Sequence, residues 1–322
     1  MMRFSDSLKS RVRKSRRNDT SVLCNPDGND FVAFAKKKFS LTHLAEVEPK
    51  HADAYIAYIR QNGRYCRTIP RRGIPYEQNS ETLLSSASAN QYLRACRQVF
   101  KYLLPDLGFT ADENPFQHIK GIIVTHVERE IFTQDELFMI FANPPPLMKA
   151  LFTIGLCTGL REGDVATLKW SEIGGYNGRG TAVSDFLYRE INRVTRKTHT
   201  LVHVPIEMEL AQCLAELAEA RNLASPFAEY VIPEAAEMYL RKTNALPHAI
   251  HLFLNGLGIV TQRKTTGGKR NQSVKDFHSL RHCFCYYAGI KGVPLPVIQS
   301  IVGHINPAMT NIIRTTRTGR RD

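Results

Sequence analysis

Apolar residues recur at helical spacing through most of the first third of the chain. In DFVAFAKKKF, Phe31, Phe34 and Ala35 share one face. In PKHADAYIAYIRQNG the stripe is Ala54, Tyr55, Tyr58 and Ile59, with Pro49 in the first turn and Gly63 as the stop. The next segment, RYCRTIPRRGIPYEQ, breaks the period, and its prolines, glycine and arginines predict an irregular basic loop. Period 3.6 returns in SSASANQYLRACRQVFKYLL through Ala89, Tyr92, Cys96, Val99 and Leu103. Nothing here alternates at period two, so residues 29–116 are expected to form a small, all-helical bundle. Asn114-Pro115 stops the last helix, and residues 117–131 read as an extended connector.

A second domain is expected over residues 132–313. Thr133 and Glu136 have the spacing of a capping box, and Asp135 suits a helix N-terminus. The apolar run LMKALFTIGLCTGL carries Lys149 and is bounded by Pro144-Pro145-Pro146 and Arg161. It falls short of the ~20 residues of a membrane span and reads as a buried helix. A further helix starts near Arg161, and GGYNGRGT is a turn. DFLYREINRV and LVHVPI flank RKTHT as a hairpin; Val202, Val204 and Ile206 alternate, whereas the first arm alternates poorly. TQRKTTGGKRNQSVK reads as a basic loop that lacks the spacing of a phosphate-binding P-loop. The expected fold is mainly α with a small β-hairpin: a helical domain, then an α+β domain.

Charge sharpens this picture. Of the net +13, residues 1–18 carry +6 and residues 314–322 carry +3, leaving +4 for the rest. We read residues 1–28 as a basic flexible arm and 314–322 as a basic tail, which points to a polyanion, nucleic acid ahead of membrane. Phe4, Leu8 and Val12 also form a helical stripe in an Arg- and Ser-rich segment, the alternative being an organelle transit peptide. Seven cysteines without framework spacing or a secretory signal imply reduced thiols in a cytoplasmic protein. Cys283 and Cys285 lie near His278 and His282, but no paired CxxC is present. Apolar filler is the expected role, and no metal or other cofactor is called for.

The chemistry sits in TGLREGD, RKTHT, HSLRHCF and VGH. Singly, each has a bland explanation: Arg161 pairing with Asp164, Lys197 in a loop, His278 capping a helix. Together, two arginines, a lysine and two histidines make a site for a phosphate dianion or a phosphodiester. Arginine offers paired donors to non-bridging oxygens, lysine a proton for a leaving alkoxide, and histidine donation or proton removal. Such a set stabilises a pentavalent phosphorus without a metal.

TGLREGDVATLKW, the RKT turn, HSLRHCFCYYAGIKGVPLPVIQSIVGH and the following NPAMT resemble the signature boxes of the tyrosine recombinases, the phage integrase family, with similarity across nearly the whole chain. The resemblance implies a helical core-binding domain, a catalytic domain, duplex DNA as partner, a homo-oligomer (a tetramer) on DNA, no membrane, and action at the nucleoid. It assigns Arg161 and Arg281 to clamping the scissile phosphate and Lys197 to protonating the 5′-oxygen. His278 and His304 would hydrogen-bond the phosphate, His278 would assist nucleophile deprotonation, and Asp164 would orient the site. Arg71, Arg72, Arg94, Arg97, Lys269 and Arg270 are the further candidate DNA contacts.

One departure stands out. The family's nucleophilic tyrosine follows the final histidine by about nine positions, which here falls on Ile313. The tail after Asn306-Pro307, a helix start, ends in RTTRTGRRD, which favours an altered terminus. The expected function is therefore DNA recombination or integration with cleavage lost; the alternative is a non-catalytic accessory or antagonist of recombination.

Overall fold

The computed structural model describes residues 26–65, 67–71, 74–78, 84–103, 110–124, 129–242, 244–264 and 271–303. They fall into two compact units that meet in sequence at His126 and Val127. His304, Ile313, Arg72, Lys269 and Arg270, both basic termini and the anticipated last helix lie outside the described residues.

The first unit is built on α1 (Pro26–Phe39), α2 (Pro49–Asn62) and α3 (Ser86–Leu103). The sequence stripes are its core: Phe31, Phe34, Tyr55, Ile59, Tyr92, Cys96 and Val99 are all buried. Phe31 meets Tyr55 and Phe116 edge-on, with ring centroids 5.2 and 5.0 Å apart, the arrangement that aromatic quadrupoles favour. The buried Tyr55 hydroxyl donates to Asp30 Oδ2 at 3.0 Å, and the Tyr65 N–H donates to the same oxygen. Both polar groups are thus satisfied inside an aromatic core.

The basic segment after α2 is not a loop. Strands β1 (Arg67–Arg71) and β2 (Ile74–Gln78) pair antiparallel, with Pro70 opposite Pro75. A two-stranded ribbon is all edge, so prolines that would break a central strand are tolerated, and they hide the strand signal. Residues 117–122 also behave differently from a free connector. Asn90 both donates to and accepts from the backbone of Ile122, at 2.7 and 2.8 Å. Arg60 donates to the Lys120 carbonyl, and Ile119 and Ile122 pack on the core.

The second unit comprises α4 (Gln134–Ala142), α5 (Pro146–Thr158), α6 (Glu162–Ala166), α7 (Met208–Glu219), α8 (Pro233–Arg241), α9 (Ala245–Gly256), α10 (His278–Ile290) and α11 (Leu295–Val302). Thr133 and Glu136 close the capping box ahead of α4. The apolar helix α5 is central and packs on α7 and α10. Gly155 makes the α5–α10 contact close: a Cβ there would lie 2.7 Å from Phe277 and 2.9 Å from Leu280. Among the described residues no helix is long and apolar enough to cross a membrane.

The expected hairpin is present as β3 (Glu190–Val194) and β4 (Leu201–Pro205), with Ile191 opposite Val204 and Val194 opposite Leu201. Its first arm is shorter than expected, because residues 183–185 form a 3₁₀ turn and 186–188 continue it as a turn. The poor alternation has a specific cause: Arg193 points inward beside Ile191 and is 5 % exposed. Part of the second basic loop is also a hairpin, β5 (Gln262–Lys264) with β6 (Asn271–Ser273).

Candidate active site

Arg161 and Arg281 come from segments 120 residues apart in the sequence. Helix α5 stops at Gly159, whose φ of 64° is the left-handed conformation glycine adopts freely. A Cβ at that glycine would lie 2.8 Å from Phe284 and 2.9 Å from Val302, so α10 and α11 close tightly on the turn. Arg281, on α10, is 1 % exposed and donates to the Gly159 carbonyl at 2.8 Å and to the Val302 carbonyl. These carbonyls sit at the C-terminal ends of α5 and α11, where helix dipoles favour a cation. Burial first, and Arg161 second, lower the Arg281 pKa to about 10, which leaves it charged at neutral pH.

Arg161 is the N-cap residue of α6. Its Nη1 is buried without a hydrogen-bond partner among the described residues. An unpaired buried donor costs roughly 1–3 kcal/mol, and an incoming oxyanion would relieve that cost.

Asp164, 2 % exposed, accepts the Arg196 N–H at 2.8 Å through Oδ1 and lies 3.7 Å from Arg193 Nη2. Arg193 in turn donates to the Thr167 carbonyl and to Glu172, both at 2.7 Å. The acid thereby ties α6 to the β3–β4 turn one residue before Lys197. Within that turn Thr195 N–H donates to the Thr200 carbonyl at 2.9 Å, and His199 takes a φ of 52°. Lys197 is exposed at the tip.

His278 is the first residue of α10, and its N–H donates to Asp276 Oδ1 at 2.9 Å. Asp276 is ion-paired with Arg129. Burial, then the neighbouring His282 and Arg281, push the His278 pKa down to about 3. His282, whose ring centroid is 5.1 Å away, is lowered to about 4, mainly by burial. Both imidazoles are neutral at physiological pH, so each can donate from one ring nitrogen and accept at the other.

Arg161, Lys197 and His278 line one cavity of about 550 Å³, with Arg129, Glu162 and Asp276 around them. Arg281 and Asp164 are buried residues that do not line it. Arg94 is exposed on α3. Arg97 is committed to its own unit, donating to the Phe116 carbonyl at 2.9 Å and also to that of Ile119. For Arg71 the backbone alone is described.

Several cavity residues had escaped the sequence reading. Arg129 fell in the supposed connector, and Lys275 and Asp276 immediately precede HSLRHCF. Glu162 lies inside TGLREGD, where nothing local marks it; burial, then Asp276, raise its pKa to about 7. Tyr239 also lines the cavity; its hydroxyl packs against Gly163, where any side chain would collide with it, and Arg196 lies 5.5 Å over its ring. Cys283 and Cys285 are buried, and burial pushes their thiols up to about 12 and about 11. Neither is a thiolate at neutral pH, and Cys283 Sγ instead accepts the Phe132 N–H at 3.2 Å.

The phage integrase family profile matches residues 130–317. A XerC-like tyrosine recombinase of Caldanaerobacter subterraneus subsp. tengcongensis is 23% identical over 291 residues, covering 83% of this chain and 73% of that protein. A tyrosine recombinase of Thermosipho africanus is 22% identical over 315 residues, 96% and 92% of the two chains. Among solved structures, a lambda integrase dimer bound to a COC′ core site aligns with a TM-score of 0.67 at 16% identity, over 100% of this chain and 98% of the other. The Tn1549 transposon integrase in complex with transposon right end DNA gives 0.59 at 15% identity, over 98% and 96%. At such identities the structural likeness speaks for the fold.

Proposed function

The chain belongs to the phage integrase family, and from that premise we propose that it binds duplex DNA at recombination sites but cannot cleave it. The observation that carries the binding half is the cavity: Arg161, Lys197 and His278 converge on it, and Arg161 brings a buried donor in need of an acceptor. A scissile phosphate supplies that acceptor. In this reading Arg161 and Arg281 offset the charge gathering on the non-bridging oxygens. Lys197, on the turn braced by Asp164, gives a proton to the departing 5′-oxygen. Neutral His278 donates to the phosphate or takes the nucleophile's proton, with His304 as a second donor.

The cleavage half rests on Ile313. A hydrocarbon side chain has no atom to attack phosphorus, so the cations bind the phosphate but the covalent step lacks its nucleophile. Tyr287 is half-buried and packs against the core of its unit, which leaves it no part in attack. A nicked suicide duplex, which traps a 3′-phosphotyrosyl intermediate, tests this directly. The expected result is a salt-sensitive complex and no denaturation-resistant adduct; an adduct from the unmodified chain refutes the loss of cleavage. We extend the proposal to assembly as an oligomer on DNA and action at the nucleoid, as the family resemblance implies. An accessory that only occupies recombination sites is the second reading, and the same cations favour it through their phosphate contacts.

A further inference from the structure

Among its cations the cavity holds one carboxyl group that lacks a cation of its own. Glu162, the first residue of α6, is half-buried and lines the cavity beside Arg161. Among the described residues its carboxylate makes no ion pair and no hydrogen bond, unlike the other acid there. Asp276 is ion-paired with Arg129 and accepts the His278 N–H and, at 3.2 Å, the Ser273 hydroxyl. A phosphodiester entering this space therefore meets a compensated acid and an uncompensated one.

We propose that the cavity takes a DNA phosphate only with a proton on Glu162, so that DNA binding here is coupled to the uptake of one proton. The inference rests on the cavity being the phosphate site proposed above. An ionised, half-buried carboxylate next to a bound phosphate is repelled by it, because water that would screen the pair is partly excluded. The protonated carboxyl removes the repulsion and offers an O–H donor to a phosphate oxygen. Glu162 stands ready for this change: burial and the charge of Asp276 already raise its pKa to about 7. A second anion raises it further in the complex.

The sign follows from linkage. A group whose pKa rises on binding leaves affinity full below its free-state value and lowers it as pH climbs above that value. Affinity should fall about tenfold between pH 6 and pH 8, given a free pKa of about 7. The other charged groups facing the cavity come from every element around it: Arg129, Arg161, the β3–β4 turn's Lys197, and Lys275 with Asp276 before α10. His278 and His282, at about 3 and about 4, stay neutral across this window, and Arg281, at about 10, stays charged. His251 on α9, with ring nitrogens against Asn255 and Thr261, and Tyr239 on α8 are the other titratable residues that line it.

The test is fluorescence anisotropy of the full chain on duplex DNA from pH 6 to pH 8.5 at fixed ionic strength. The unmodified protein should lose affinity about tenfold from pH 6 to pH 8. Glu162→Gln should remove that loss and bind more tightly than the unmodified protein at pH 8, while His251→Gln should keep it. Calorimetry of the unmodified chain at pH 7.5 in two buffers of different ionisation enthalpy should show uptake of about 0.8 proton per complex. An unchanged pH slope in Glu162→Gln, a slope abolished by His251→Gln, or no proton uptake overturns the inference. Arg161→Ala, measured alongside, separates the two levels. If it leaves affinity untouched, the phosphate does not enter the cavity, and both the site reading and this inference fail. If affinity drops but the Glu162→Gln slope is unchanged, only the proton coupling fails.

Discussion

Arg161→Ala and Arg281→Ala should both weaken DNA binding, the former more, and should part company in stability. Arg281 donates to the Gly159 and Val302 carbonyls, and its side chain is 1 % exposed. Truncation deletes two hydrogen bonds from a charged donor, about 1.5–3 kcal/mol each, and leaves two buried carbonyls without that donor. Relief of the buried charge returns part of this, because desolvating a guanidinium is costly. A net loss of about 2–4 kcal/mol is expected, and a unit of this size then melts about 5–12 °C lower. Arg161 is the opposite case. Its buried Nη1 has no partner among the described residues, so its removal should leave stability within about 1 kcal/mol of the original, or raise it. Arg161→Ala should lose roughly 1.5–3 kcal/mol of DNA affinity, the worth of a charged donor to phosphate, and Arg281→Ala less, because Arg281 does not line the cavity and already donates to two carbonyls. Thermal and urea unfolding give the first comparison, and anisotropy on duplex DNA the second. If Arg161→Ala destabilises as much as Arg281→Ala, its guanidinium is engaged within the protein, and the idea of a donor held open for phosphate is wrong.

Acid sensitivity is the next expectation. His278 and His282 have folded pKa values of about 3 and about 4, well below the unfolded value of 6.5, so unfolding takes up protons below that pH. Their contribution is complete above about pH 6.5 and is lost as pH falls, by up to about 1.4 kcal/mol per pH unit each. Glu162, raised to about 7, acts in the reverse sense between its unfolded 4.5 and that value. Urea midpoints from pH 7 to pH 4.5 should therefore decline in the unmodified chain and decline faster in Glu162→Gln; a flat profile contradicts the burial of the two imidazoles. Gly155→Ala should cost about 1–3 kcal/mol despite alanine's better helix propensity, because its Cβ would sit 2.7 Å from Phe277. A stabilised variant in a urea titration would mean α10 yields there. Deleting residues 1–18, which carry +6, should reduce both DNA affinity and its salt dependence while leaving the melting temperature unchanged. A large drop in melting temperature would make the arm structural.

The helices were legible because their burial follows their spacing. Each stripe residue named for the first unit whose side chain is described is either buried or packed against the core, and α5 lies in the interior as its apolar run implied. Strands were harder wherever a single residue spoiled the alternation. Pro70 and Pro75 hid the β1–β2 ribbon, and Arg193 hid half of β3, because a buried arginine looks like a solvent-facing one until its partners are known. Those partners, Asp164, Thr167 and Glu172, lie 21 to 29 residues earlier, a separation that no local pattern reports. The first part of the connector, residues 117–122, differs from expectation for a related reason, while the boundary between the units falls within 117–131. Extended polar segments resemble linkers, yet Asn90, Arg60 and Arg97 bind the backbone of residues 116–122 from helices far upstream.

The same distinction separates the parts of the active site. Motif residues were found because their chemical types are unusual together, but sequence assigned Arg161 and Arg281 a single shared task. The fold makes them physically unlike. Arg281 is fixed between the carboxyl ends of two helices and brings a positive field that is already stabilised by the protein. Arg161 retains a donor without a partner among the described residues and so would gain more from an incoming phosphate. Glu162 separates from its neighbours in the same way: one residue after the arginine proposed to clamp phosphate, it reads as an ordinary helix-start acid, which the dipole should favour ionised. Burial and Asp276 reverse that expectation and bring its pKa to about 7. The proposed phosphate site thus contains a group whose charge would oppose the anion and whose proton would remove the opposition. In the proposed complex, the net pull on a phosphate near Arg161, Lys197 and Arg281 would then depend on pH through a residue that no motif marks.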